Sequence, residues 1–242
     1  MNMSFEFRKY RTAVFSALAV LASAAMIHYA ADKIDSAVYV NTGDADPQGR
    51  IVVLDCGHGG MDGGCSTAEG VCEKGINLSI MLSVRDMCRL YGYDTAVTRD
   101  RDISIHDSGV TGVRNQKVSD MENRLELFNK FPNSVCLSIH QNTFTDPKFS
   151  GAQMFYSAAN QESERFASIL QNKFVQNLQP ENMRETKLCG KELYLCYFCE
   201  NPAVMAECGF LSNPDEAAKL TDSTYQQQVA FTLFSGLNEF MS

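Results

Sequence analysis

Read for apolar and polar positions alone, the chain falls into a leader, a polar stretch and a long region where apolar runs alternate with amphipathic ones. Residues 12–31 carry no Asp, Glu, Lys or Arg and include Val14, Phe15, Leu18, Val20, Leu21, Met26 and Ile27. A helix of roughly 20 residues, rising ~1.5 Å per residue, reaches across a ~30 Å hydrocarbon layer. Arg8, Lys9 and Arg11 precede this run and Asp32 follows it, which orients the remainder outward. The stretch Ala22-Ser23-Ala24 keeps a cleaved signal peptide open, while His28 and Tyr29 near the end favour an uncleaved anchor. Export follows from either. Residues 1–31 therefore read as signal-anchor or signal peptide, 32–49 as a linker with Gly43, Asp44, Pro47 and Gly49, and 50–242 as one folded domain.

Within that domain, 51–54 is a short continuous apolar run that enters a loop with Gly57, Gly59, Gly60, Gly63 and Gly64, as a buried strand does. Residues 77–90 repeat Leu78, Met81, Leu82, Val84 and Cys88 at helical spacing, and Gly92 ends that helix. The pattern next predicts a strand over 94–98, a polar loop over 99–116, and a helix over 119–131. Ser119 is expected to cap that helix, with Glu122 at the capping-box spacing. Strands follow over 135–139 and 151–156, a helix over 162–178, a basic loop over 179–192, a strand over 203–206, and helices over 214–220 and 224–241. Alternating strands and helices predict an α/β domain: a mostly parallel or mixed central sheet with helices on both faces, preceded by one N-terminal hydrophobic helix.

Composition narrows the function classes. The chain has 21 Lys and Arg against 29 Asp and Glu; without the leader the balance is roughly 18 to roughly 28. So acidic a domain lacks the clustered cations that neutralise phosphates, which excludes a nucleic-acid partner. Nine cysteines are an odd count, so at least one is a free thiol. Cys136 and Cys208 sit in apolar runs, where Cys acts as a small hydrophobe, and most of the nine are expected to be reduced fillers. Cys196 and Cys199 form a C-x-x-C without the matching second pair that a structural zinc site wants. Cys65 and Cys72 are the pair in which a bridge is first to be sought.

Open α/β sheets place their sites beyond the carboxyl ends of the strands. His58, His140 and Glu207 each follow an apolar run, and Glu73 stands at the entry of the first helix of the domain. Two imidazoles and a carboxylate suit Zn2+ and leave one position for water. Glu207, among Met205, Ala206, Cys208 and Phe210, is poorly solvated and is the candidate proton carrier for amide hydrolysis. Singly, each has a plainer role: a hydrogen-bonded histidine at a strand end, a carboxylate at a helix N-terminus, a glutamate paired with lysine.

Taken together these residues resemble a family. Asp55-Cys56-Gly57-His58-Gly59-Gly60, Glu73-Lys74-x-x-Asn77, Ser138-Ile139-His140-Gln141-Asn142 and Glu207-Cys208-Gly209-Phe210-Leu211-Ser212-Asn213 are similar to motifs of zinc-dependent N-acetylmuramoyl-L-alanine amidases. The resemblance implies His58, Glu73 and His140 as metal ligands, Glu207 as the catalytic glutamate, and peptidoglycan as substrate. Val118-Ser119-Asp120-x-x-x-Arg124, Gly151-Ala152-Gln153-Met154-Phe155-Tyr156 and Gln179-Pro180-Glu181-Asn182-x-Arg184 resemble the sporulation branch of that family. That branch implies stem-peptide removal for muramic-δ-lactam formation in spore cortex, a place at the forespore envelope, a membrane segment and, in some members, a lipoprotein activator. Gln141 and Asn142 are candidates to bind substrate or orient a ligand, Arg124 to form a structural ion pair, and Arg184 to grip stem-peptide carboxylates. Two other functions stay open: a zinc peptidase acting within the stem peptide, and a non-catalytic wall-binding module.

Overall fold

The computed structural model describes residues 49–242; the expected leader and all of the linker except Gly49 lie outside the described residues. Among the described residues no helix is long and apolar enough to cross a membrane.

The chain runs β1 (Val52–Cys56), α1 (Glu73–Leu90), β2 (Thr95–Val97), α2 (Val113–Lys130), β3 (Val135–Asn142) and β4 (Gln153–Tyr156). It continues with α3 (Glu162–Asn177), β5 (Lys187–Leu188), α4 (Tyr194–Phe198), β6 (Ala203–Phe210), α5 (Pro214–Leu220) and α6 (Ser223–Met241). Six strands form one sheet in the order β2-β1-β3-β6-β4-β5. The first four are parallel, β4 is antiparallel to β6, and β5 is parallel to β4. The fold is the mixed α/β domain expected.

Strand alternation sorts the side chains between two unequal faces. Val52, Leu54, Leu137, Ile139, Val204 and Ala206 join a large core with Ile80 and Met81 of α1, Phe166 and Leu170 of α3, and Leu233 and Leu237 of α6. The opposite face presents the smaller Val53, Ala96, Cys136 and Ala203 to Phe128 of α2 and Leu195 of α4. Burial of the first set supplies most of the driving force, at about 25 cal/mol per Å² of apolar surface. The thin face leaves room for polar groups.

Asp55 takes that room. Buried on β1, its carboxylate pairs with Arg124 of α2 and accepts hydrogen bonds from Thr98 and Ser138. Arg124, itself buried, also reaches Asp120 at 2.6 Å, so the expected structural ion pair is present. Burial alone would raise the Asp55 pKa, but the charges of Arg124 and His140 and the two hydroxyls hold it below the usual range. A depressed folded pKa stabilises the fold above the unfolded value of about 3.9, and that contribution is lost as pH falls through the folded value. Asp55→Ala strands a buried guanidinium and is expected to cost about 3–5 kcal/mol, read from urea unfolding at neutral pH. A loss below about 1 kcal/mol would show the pair to be dispensable.

Several boundaries differ from the sequence reading. Helix α2 begins at Val113, following Gly112 at φ +84°, rather than at 119. Its first turns face solvent and carry only the exposed Val113 and Val118 among polar residues, so no apolar period marked them. Ser119 is consequently not a cap: its hydroxyl donates to Asp107 Oδ2 and accepts from the Asp107 amide, both at 3.0 Å. Helix α1 starts four residues earlier than expected, at Glu73. β3 and β6 run beyond their apolar segments to Asn142 and Phe210, so His140 and Glu207 stand inside strands. The nine cysteines are all free and seven are buried, which fits fillers. The bridge sought at Cys65 and Cys72 does not form. Ser66 is the residue opposite Cys72, which leaves Cys65 out of register, and the Cys65 thiol turns to the Gln141 and Asn142 carbonyls at 3.5 and 3.8 Å.

Candidate metal centre

The site begins where β1 ends. A Cβ built on Gly57 would lie 2.0 Å from His140 Cε1, so only glycine lets the ring lie against this backbone. The next residue, His58, has φ +64°, a left-handed conformation that costs a branched or bulky residue on the order of 1–3 kcal/mol. Gly59 and Asp62 then exchange backbone hydrogen bonds at 2.9 and 3.0 Å. That tight turn brings Asp62 Oδ2 to 2.9 Å from His58 Nδ1, while Asp62 Oδ1 accepts from Lys117 Nζ at 2.8 Å. Burial works against the Asp62 carboxylate, but Lys117 and His58 pull its pKa down to about 2.

The loop returns through the Ser66–Cys72 bridge and delivers Glu73 at the first turn of α1. Glu73 is nearly fully buried, and its two oxygens divide the site. Oε2 lies 3.3 Å from His58 Nε2 and accepts from the Cys65 amide at 3.0 Å. Oε1 lies 3.1 Å from His140 Nδ1 and accepts from the Gln141 amide and Asn77 Nδ2, both at 3.0 Å. The His58 and His140 rings are 5.1 Å apart at 76°. One donor atom from each of His58, Glu73 and His140 falls within 4.8 Å of the others.

Glu207 is directly opposite His140 in the β3–β6 pairing and opposite Gln153 in the β6–β4 pairing. Residues facing one another across a ladder project to the same side, so its carboxyl stands beside the histidine. Its Oε2 is buried and has no hydrogen-bond partner. Burial pushes its pKa up to about 7, with positive His140 opposing and the charge of Glu73 adding. His58, His140 and Glu207 line a cavity of about 320 Å³, together with Met205, Glu192 and Tyr194.

This donor set fits a divalent metal ion. Two imidazoles and a carboxylate converge, Asp62 fixes the His58 tautomer from behind as outer partners of ligating histidines do, and an unpartnered buried oxygen lies alongside. Without an ion, protons take its place. Burial disfavours the His58 cation, but Glu73 and Asp62 outweigh it and raise the pKa to about 9; His140 is raised in the same way, chiefly by Glu73. A raised histidine pKa stabilises the metal-free fold below about 6.5, and that contribution fades as pH climbs to about 9. Metal uptake must displace these protons. Calorimetry at pH 7 in buffers of different ionisation heat is therefore expected to show proton release, with affinity rising toward pH 9. Uptake without proton release would place the metal elsewhere.

The other residues singled out from sequence stand apart. Gln141 turns its side chain to Asn77 on the α1 side of the sheet, at 3.2 Å, and orients Glu73 through its backbone amide. Asn142 accepts from the Thr143 amide at 2.8 Å. Arg184 spends its guanidinium on the Ser150 carbonyl, the Gln153 side chain and the face of Phe210, 4.6 Å from the ring centroid. None of the three lines the cavity; Arg184 meets the site only through Gln153. Conversely, Asp62, Lys117, Gly57 and Arg99 contribute to the site unforeseen. Asp62 follows His58 by four residues, a spacing that sequence offers without saying which way the turn closes.

A mixed α/β sheet with a His-Glu-His set and a raised-pKa carboxyl at the carboxyl ends of its parallel strands defines a metal-dependent hydrolase. Residues 52–239 match the Amidase_3 model, described as N-acetylmuramoyl-L-alanine amidase, and the chain belongs to that family. A curated relative, the germination-specific N-acetylmuramoyl-L-alanine amidase of Bacillus subtilis, is 33% identical over 80% of this chain and 81% of its own length. The CwlD amidase of Clostridioides difficile, solved in complex with the GerS lipoprotein, is similar with 33% identity and a TM-score of 0.76 over 79% of this chain and 98% of that one. An N-acetylmuramoyl-L-alanine amidase from Clostridium difficile 630 aligns with 25% identity and a TM-score of 0.68 over 79% of this chain and 96% of its own.

Proposed function

We propose that the enzyme is a zinc amidase that cleaves the amide between the lactyl group of N-acetylmuramic acid and L-alanine, in preparation of muramic-δ-lactam in spore cortex. The observation that carries this is the convergence of His58, Glu73 and His140 beside an unpartnered, buried Glu207 oxygen. His58, Glu73 and His140 hold the ion, which when bound supplies Lewis-acid polarisation of a carbonyl and acidifies water. Glu207, whose pKa burial raises to about 7 in the metal-free protein, takes the proton of the attacking water and passes it to the leaving nitrogen. The C–N bond breaks, a C–O bond forms, and the products are a lactyl carboxylate and a peptide with a free N-terminal alanine. Asp62, anchored by Lys117, keeps His58 in one tautomer throughout.

By likeness to the C. difficile complex, the chain takes a lipoprotein partner; residues 1–31, as signal-anchor or signal peptide, export it to the forespore envelope, membrane-anchored or secreted. Digestion of peptidoglycan by the full chain, with and without such a partner, followed by mass spectrometry of the products, tests the reaction. Peptides beginning with free alanine support it; cuts within the stem peptide would make the enzyme a peptidase, and intact muropeptides under both conditions a wall-binding module.

A further inference from the structure

His58 adopts a left-handed backbone at the position where its imidazole must meet Glu73 and His140. Something has to hold it there, and two buried arginines converge on its carbonyl. Arg99 Nε and Arg124 Nη2 each donate to the His58 oxygen at 2.7 Å. The same two side chains bind the Cys56 carbonyl, at 3.2 and 3.0 Å, and Arg99 Nη2 binds the Gly57 carbonyl at 3.0 Å. Three consecutive carbonyls at the end of β1 are thus bound by two guanidiniums, with the Gly57 oxygen also accepting from Asn77 Nδ2 at 3.3 Å.

Arg99 is the more telling of the two. Each arginine is 2% exposed, yet Arg124 has Asp55 and Asp120 as ion-pair partners, whereas Arg99 donates to carbonyls, those of Lys74 and Arg101 completing the set. A buried cation aimed at backbone oxygens is a costly way to stabilise a fold. It is an effective way to fix one, because the planar fork of arginine binds several acceptors in a set geometry that lysine does not reproduce. Arg99 also ties the His58 loop to the first turn of α1 through the Lys74 carbonyl, one residue beyond Glu73. A single side chain therefore sets the spacing between two of the three ligand-bearing segments.

We propose that Arg99 and Arg124 are positioning residues for the metal site, a two-guanidinium clamp that holds His58 in its left-handed conformation and in register with Glu73. The clamp rests on the metal reading above. Its action is on ligand placement rather than on the proton transfers, so its loss weakens metal affinity and spares turnover once metal is saturating.

The test compares the full-length wild type with Arg99→Lys and Arg124→Lys, and with Arg165→Lys as a surface control. Zn2+ affinity is measured by competition with a chromophoric chelator, alongside melting of the metal-free proteins and kinetics at limiting and saturating Zn2+. Arg99→Lys is expected to weaken Zn2+ binding by about 10–100-fold, the range typical of groups that orient metal ligands. Its metal-free form is expected to fold with a melting temperature several degrees below wild type, for the buried carbonyl bonds lost, and kcat to recover at saturating Zn2+. Arg165→Lys is expected to match wild type. If Arg124→Lys unfolds through loss of its Asp55 pairing, Arg99→Lys carries the test alone, since its partners are carbonyls. Wild-type affinity in Arg99→Lys, or a kcat deficit that saturating Zn2+ does not repair, would overturn the clamp. A wild type that takes up no Zn2+ defeats the metal reading, and the clamp with it; uptake with unchanged affinity in the variants defeats the clamp alone.

Discussion

Glu207→Gln is expected to retain the metal, fold more stably than wild type above neutral pH, and lose about 10²–10⁴-fold in turnover, the range general acid–base catalysis contributes. The two halves of this result have one cause. The carboxyl is poorly solvated and its Oε2 has no partner, so ionising it in the metal-free protein is unfavourable, and its pKa rises to about 7. Below the ordinary glutamate value of about 4.3 the group is neutral in both states and costs nothing. The cost builds as pH rises from there to about 7 and is complete above it. A shift of that size corresponds to a few kcal/mol, at about 1.4 kcal/mol per unit. Gln keeps the shape and removes the charge. Melting of the metal-free proteins is thus expected to diverge above pH 7, with Gln higher, and to converge near pH 4. Unchanged turnover would remove Glu207 from the mechanism; unchanged stability at high pH would mean that the carboxylate is better solvated than its burial implies.

The second large effect comes from a residue without a side chain. Gly57→Ala puts a methyl 2.0, 2.3 and 2.5 Å from three atoms of the His140 ring. The ring has to leave, because the new atom is fixed to backbone at the end of β1, and leaving breaks its contact with Glu73. Gly57 is not among the residues with positive φ, so alanine itself meets no backbone penalty and the damage stays local. Metal affinity is expected to fall by about 100-fold or more, at the upper end of what disturbed ligand geometry costs, and turnover at limiting metal with it. Gly75→Ala is the control. Its Cβ would meet nothing within 4 Å in helix α1, and the substitution is expected to stabilise by about 0.5–1 kcal/mol. Metal competition for the two variants separates a clash at the site from a general intolerance of glycine replacement.

Gly57 also marks where sequence stops being informative. Its place in Cys56-Gly57-His58 suggests a turn, but the demand comes from His140, eighty-odd residues away and on another strand. The apolar runs at 51–54, 135–139 and 203–206 reveal the parallel strands because both faces of those strands are buried. They also understate strand length. β3 continues through His140, Gln141 and Asn142 and β6 through Glu207, polar residues that interrupt the apolar pattern; His140 and Glu207 face the cavity, where hydrophobicity is no guide. The start of α2 was hidden for a related reason: its first turns meet solvent, so polar residues there left no period to read. His58, Glu73, His140 and Glu207 stood out because each follows an apolar run or opens a helix, but each alone had a plainer role, and the resemblance of their motifs is what joined them. Arg99 was not, being a single arginine in an unpatterned loop whose partners are carbonyls that no sequence displays. Arg184 and Gln141 show the reverse: chemically apt residues near the motifs whose side chains the fold commits elsewhere.

The nine cysteines make the identity of the metal ligands the sharpest point of decision. Cys65 lies next to the site, its amide bound to Glu73. Its Sγ turns to the Gln141 and Asn142 carbonyls, outside the converging donor set of His58, Glu73 and His140, and in the metal-free protein burial, then the negative charge of Glu73, pushes the thiol far above the ordinary range. X-ray absorption at the zinc edge of the zinc-loaded full chain reads this directly. The expected spectrum has nitrogen and oxygen neighbours only, at about 2.0–2.2 Å, two of them imidazoles, and is the same in Glu207→Gln. A sulfur shell at about 2.3 Å would contradict it, and with it the assignment of His58, Glu73 and His140 as the ligands of an open, catalytic ion.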